Sequence, residues 1–167
     1  MNILPLSQGA DKAYDPGRGD FFVQFESAGI VMAVEYVFVR EVVPYQQPVP
    51  VPHTPAYLTG VINYNGQVCP VVSISAADGS IEKEVSGKTC ILMVEPPEDS
   101  RILIGLIAEQ FFGSVKIPPG RIAGGFIHAS PLFEGCFAGS LRINNIETAV
   151  FRPFDFLKKL DFISINN

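Results

Sequence analysis

The chain has 167 residues, of which 47% are hydrophobic and only 17% charged, and 12 basic against 17 acidic side chains leave a net charge of −5. This length supports a sizeable core without disulfide or metal staples, and the hydrophobic share excludes a disordered chain. The acidic balance disfavours nucleic-acid and anionic-membrane partners, and so little charge on a folded chain points to apolar surface offered to other proteins.

Residues 1–19 are turn-rich, with Asp15-Pro16-Gly17 and Gly19, and read as a flexible N-terminal tail. The tripeptide Arg18-Gly19-Asp20 matches an integrin-binding motif, but chance supplies three residues readily. From Phe21 the pattern becomes β. Phe21 to Phe25 and Ile30 to Val34 flank Ser27-Ala28-Gly29 and predict a hairpin. Val37 to Val43 predicts a strand, or a short helical turn followed by one. Pro44 to Pro55 holds too many prolines for a sheet interior and reads as a rigid connecting loop in preference to a polyproline ligand.

Tyr57 to Tyr64 and Gln67 to Ile74 are joined by Asn65-Gly66, the strongest short hairpin signal, since both residues accept positive φ. Thr89 to Val94 and Ile102 to Ile107 form another pair. Phe111 to Ile117, Phe126 to His128, Cys136 to Ile143 and Glu147 to Phe151 follow, the last two around the tight turn Asn144-Asn145. Pro153 to Leu160 predicts a short helix, with proline at its start and lysines near its end. About ten short strands with little helix imply an all-β sandwich or barrel. No strict internal repeat is visible, and a division into two sets of strands near residues 76–88 is the expectation.

The chemistry-bearing residues are sparse. Cys69, Cys90 and Cys136 are odd in number and lack CxxC spacing, so buried reduced thiols are expected. Cys69 could pair with His53 as a nucleophile, but it lies between Val68 and Pro70, where nothing lowers its pKa. Val68 itself reads as a core residue. His53 and His128 lack metal-ligand spacing. Glu82, Glu84, Glu95, Glu98 and Asp99 read as solvated loop charges. Gly124-Gly125 belongs to no phosphate loop, and no serine elbow is present. No catalytic, cofactor or metal residue is assigned, so a binding module is favoured over an enzyme. No apolar run approaches the ~18 residues of a membrane span, and the N-terminus lacks signal-peptide character, so a cytoplasmic chain is expected.

The order of segments carries a further signal. Phe22-Val23-Gln24-Phe25, Val39-Arg40-Glu41-Val42-Val43 and then Val51-Pro52-His53-Thr54-Pro55-Ala56-Tyr57-Leu58-Thr59-Gly60 lead into Val61-Ile62-Asn63-Tyr64-Asn65-Gly66-Gln67-Val68-Cys69-Pro70-Val71-Val72. This resembles the CheW family of chemotaxis adaptors, whose signature "vPntPayikGviNlRGqvvPVvdl" occupies the same place. Gly105 to Gln110 and Phe151 to Leu157 match later family segments loosely. The resemblance spans residues 20–162, leaving 163–167 as a C-terminal tail. It implies two packed, five-stranded SH3-like β-barrels with a short C-terminal helix. It also implies a non-catalytic adaptor bridging the cytoplasmic tip of a methyl-accepting chemoreceptor to the regulatory domain of a CheA-type histidine kinase. By positional match the partner-binding residues are Val39, Glu41, Gly60, Asn63 and Asn65. The chain has Asn65 where the signature has arginine and Ser73 where it has aspartate. Those departures motivate an alternative, a divergent scaffold with weakened receptor coupling, for example in a type IV pilus or twitching motility pathway. A small β-barrel enzyme or ligand-binding protein that merely looks similar is the third reading, and no cluster of titratable groups supports it.

Overall fold

The computed structural model describes residues 21–118, 120–126 and 128–161. Both expected tails, and with them Arg18-Gly19-Asp20, lie outside the described residues. Ten strands are present: β1 (Phe21–Ser27), β2 (Ile30–Glu35), β3 (Val39–Pro44), β4 (Leu58–Tyr64), β5 (Gln67–Val72), β6 (Cys90–Val94), β7 (Ile104–Ala108), β8 (Gln110–Lys116), β9 (Phe137–Ile143) and β10 (Ile146–Phe151). Two helices accompany them, α1 (Ile74–Asp78) and α2 (Pro153–Lys159).

The turn chemistry explains the hairpins. Ala28 and Gly29, Asn65 and Gly66, and Asn144 and Asn145 all have positive φ. Two such residues in succession give the turn whose twist matches the flanking strands, and so fix the β1–β2, β4–β5 and β9–β10 registers. Val39 enters β3 from a helical turn at Tyr36–Phe38, the second of the two expected forms.

The strands form two five-stranded sheets, in the orders β8-β1-β2-β10-β9 and β3-β6-β7-β5-β4. A pair of backbone hydrogen bonds closes each sheet into a barrel. In the second, Val49, beyond β3, exchanges bonds of 2.8 and 2.9 Å with Val61 on β4. In the first, Ala123, beyond β8, exchanges bonds of 2.9 and 2.8 Å with Ser140 on β9. The barrels are copies of one plan. Gly60 and Gly139 precede the closing residues, Asn65 and Asn144 open the turns, and Ile74 and Pro153 open the helices, all at one constant spacing. The β5–β7 and β10–β2 pairs are both parallel.

This arrangement corrects three expectations. The barrels do not divide near residues 76–88. The first takes β1 and β2 from the start of the chain and β8 to β10 from its end, and the second takes the five strands between. Long-range pairing of β2 with β10 decides this, and strand patterns carry no trace of it. Second, the strand expected to run from Gln67 to Ile74 ends at Val72, and Ile74 already belongs to α1. Ser73 accepts a hydrogen bond from the Ala76 N–H and caps α1, and Gly79 at φ +75 ends it. Third, Phe126 and His128 are not in a strand. Phe126 packs edge-on to Phe137 and His128 edge-on to Phe133, while Ile127 lies outside the described residues.

Alternation along the strands sorts side chains among three cores. Phe22, Ala33, Ile117 and Val150 fill the first barrel, and Ile62, Cys69, Val71, Ile91, Met93 and Leu103 fill the second. The largest core lies between the barrels. It joins Val23, Phe25 and Met32 of one sheet to Val39, Leu92 and Leu106 of the other, and is sealed by Phe156 and Leu157 of α2. β6 is therefore buried along its whole length, Cys90, Leu92 and Val94 facing one core and Ile91 and Met93 another.

Candidate functional site

The five residues assigned to partner binding all lie in the second barrel, in two groups of different character. Asn63, Asn65 and Glu41 gather at the tip of the β4–β5 hairpin. Asn63 faces solvent, and its Oδ1 accepts the Gly66 N–H at 2.8 Å, bracing the turn. Asn65 stands exposed at the apex with φ +48. Tyr64 donates a short hydrogen bond from its Oη to Glu41 Oε2 on β3, which ties the tip to the opposite end strand of the sheet. Next to Glu41, the Arg40 guanidinium faces Glu95 at 3.7 Å.

Val39 and Gly60 present no side-chain surface. Val39 is 0% exposed and packs in the core between the barrels. Gly60 is buried against the proline loop, where a Cβ would lie 2.3 Å from the Val49 carbonyl oxygen. Its role is to let that loop close the barrel. Sequence reasoning placed Val39 on the surface and Val68 in the core, and the structure reverses both: Val68 is 69% exposed. A signal for this was present. The two-residue turn pairs Asn63 with Val68, and paired residues share a face, so an exposed Asn63 requires an exposed Val68.

With Val68, the outer surface of this barrel carries exposed Val49 and Val51 from the proline loop and half-buried Val61 and Pro70 from the hairpin. No lysine or arginine occurs between Leu58 and Val72. The result is an apolar, amide-rimmed face with one carboxylate at its edge. Such a face matches the charge-poor centre of protein interfaces.

The thiols are placed for packing. Burial pushes the Cys69 thiol up, with Arg40 partly opposing, and burial pushes Cys90 up to about 11. Burial also raises Cys136. Each shift disfavours the thiolate a nucleophile would need. His53 is exposed in the proline loop, far from such a role, and His128 accepts the Ser130 N–H through Nδ1. Among the described residues no group of three or more His, Cys, Asp or Glu side chains is placed to hold a metal, and no helix is long and apolar enough to cross a membrane.

The family model for the CheW-like domain matches residues 22–146, from β1 to the first residue of β10. The chain belongs to the CheW-like domain family. Among relatives, the chemotaxis protein CheW of Rhizobium meliloti (strain 1021) is 32% identical over 91 residues, covering 54% of this chain and 57% of that protein. The aligned stretch thus spans little more than half the length of that relative. Among solved structures, the scaffolding protein TtCheW from Thermoanaerobacter tengcongensis superposes with a TM-score of 0.69 at 19% identity, covering 86% of this chain and 90% of the other. At that identity the match speaks for the CheW fold, two small β-barrels, and the expected all-β architecture with a short C-terminal helix is what the chain adopts. Within this CheW-like frame Ser73 has a structural explanation, because serine and aspartate both cap helices well.

Proposed function

We propose that this CheW-like protein is a non-catalytic adaptor in chemotaxis signalling, acting in the cytoplasm. It bridges the regulatory domain of a CheA-type histidine kinase and the cytoplasmic tip of a methyl-accepting chemoreceptor. The observation that carries this reading is the family match across residues 22–146. The exposed apolar hairpin face supports it and supplies a contact surface: Val68, Asn63 and Asn65, with Glu41 at the edge. Of the residues assigned from sequence, Val39 serves as core between the barrels and Gly60 as barrel closure, and neither lends this face a side chain.

Calorimetry with the purified kinase regulatory domain and receptor tip of the same organism tests it. Saturable binding of both is expected. Val68→Glu, on the surface, weakens receptor binding by about tenfold or more with the fold intact, as a charge placed in an interface centre does. Val39→Glu is the control for unfolding, because it buries a charge in the central core. Binding of neither partner at high micromolar concentration sinks the adaptor reading. Kinase binding without receptor binding establishes instead the divergent scaffold, for which the loss of the signature's arginine at Asn65 is the motive, since asparagine makes no charge-assisted pair.

A further inference from the structure

β3 and β4 are the two end strands of the second sheet, and among the described residues the backbone bridge that closes it joins Val61 on β4 to Val49 in the loop beyond β3. At the other end of β4, near the hairpin tip, the connection is made by side chains. Tyr64 packs against the interior cluster of the barrel and donates its Oη hydrogen to Glu41 Oε2. Gln46 Nε2 also lies 3.5 Å from the Asn63 carbonyl. The hairpin has no cation to offer Glu41, and Arg40 faces Glu95 instead. Tyr64 is therefore the group that holds Glu41. The family signature has leucine at the position of Tyr64, so this pairing is a feature of the present sequence.

We propose that Tyr64 is a positioning residue for partner recognition: its phenol fixes one oxygen of Glu41 at the barrel rim and presents the other to a cationic side chain of the partner. This rests on the adaptor reading and names the chemistry its contact face recognises, a lysine or arginine bordering the apolar patch that meets Val68. A glutamate held before binding loses less rotamer freedom on binding than a free one. Glu41 is partly buried at the rim and not enclosed in the core. Burial, together with the hydrogen bond to Glu41 and its charge, pushes the Tyr64 phenol up to about 12. The phenol therefore remains a donor throughout the neutral range.

The test is a double-mutant cycle on the full chain, read by calorimetry against the receptor tip and the kinase regulatory domain at two salt concentrations. Tyr64→Phe and Glu41→Gln are each expected to weaken binding of the receptor tip, the partner that meets Val68, by about tenfold, and the double variant by no more than the larger single effect. Glu41→Gln also flattens the salt dependence of that binding. Binding of the second partner stays at the wild-type level, which a merely structural loss would not spare. Wild-type affinity in Tyr64→Phe overturns the proposal, as does a double effect equal to the product of the singles. Wild type that binds neither partner brings down the adaptor reading itself, and the proposal with it. If Tyr64→Phe does not fold, Glu41→Gln carries the test: the Tyr64 phenol, followed by tyrosine carbon NMR, must titrate lower than in wild type, and an unchanged titration overturns the proposal.

Discussion

Gly60 shows how a single missing methyl group shapes the candidate site. A Cβ there would stand 2.3 Å from the Val49 carbonyl oxygen, and at Gly139 in the other barrel it would stand 2.2 Å from that of Ala123. Both obstacles are backbone atoms already committed to the closing bridge, so neither can move without opening the barrel. Gly60→Ala is expected to destabilise the protein by roughly 3 kcal/mol in chemical denaturation. Gly66→Ala, at φ +84 but with open space around it, should cost only about 1 kcal/mol. Equal effects at the two sites would remove the closure argument. The sequence marked Gly60 through resemblance but gave no hint that its task is steric. The Tyr64–Glu41 pair was equally illegible, because the residues are far apart along the chain and meet only once the sheet has closed. The exchange of Val39 and Val68 has a different cause: valine fits either face of a strand, and only the register says which.

Elements with local turn chemistry were legible almost to the residue. The Asn65-Gly66 and Asn144-Asn145 hairpins and the proline-led α2 follow from backbone preferences that act within a few residues. α1 was missed because it is only one turn long and follows an apolar strand without a break, although Ser73 and Gly79 bracket it. Ser73 also donates a short hydrogen bond to Glu82, and Lys83 pairs with Glu26 at 2.7 Å and with Glu109 at 3.3 Å, so two successive residues anchor the segment after α1. Ser73→Ala removes both the cap and the first anchor and is expected to cost about 1 kcal/mol, measured by urea titration. Ser73→Asp restores the cap but sets a second carboxylate against Glu82, so its stability should fall between alanine and wild type. Ser73→Asp less stable than alanine would mean that the Glu82 contact outweighs the cap.

For the molecule as a whole, interleaving of the chain makes the two barrels interdependent. The first cannot form until β1 and β2 meet β8 to β10, and the core between the barrels draws Phe25, Phe151 and Phe156 against Val39, Leu92 and Leu106. A single cooperative unfolding transition is expected. Cutting the chain at residue 88 should leave neither half folded, although a reading of strands in sequence order would cut there. Circular dichroism and proton NMR of the fragments 21–88 and 89–161 check this; a dispersed spectrum from either would show that its half needs no partner. By itself the sequence determined that this chain is all-β, where its turns lie, and which family it resembles, because hairpin turns, strand alternation and signature residues act over short distances. Only the tertiary structure decided which strands share a barrel, that Val39 is enclosed in the core between them, and that Tyr64 holds Glu41. Those outcomes depend on contacts between distant segments, whose free energy comes from burying shared apolar surface and is not encoded in any one stretch.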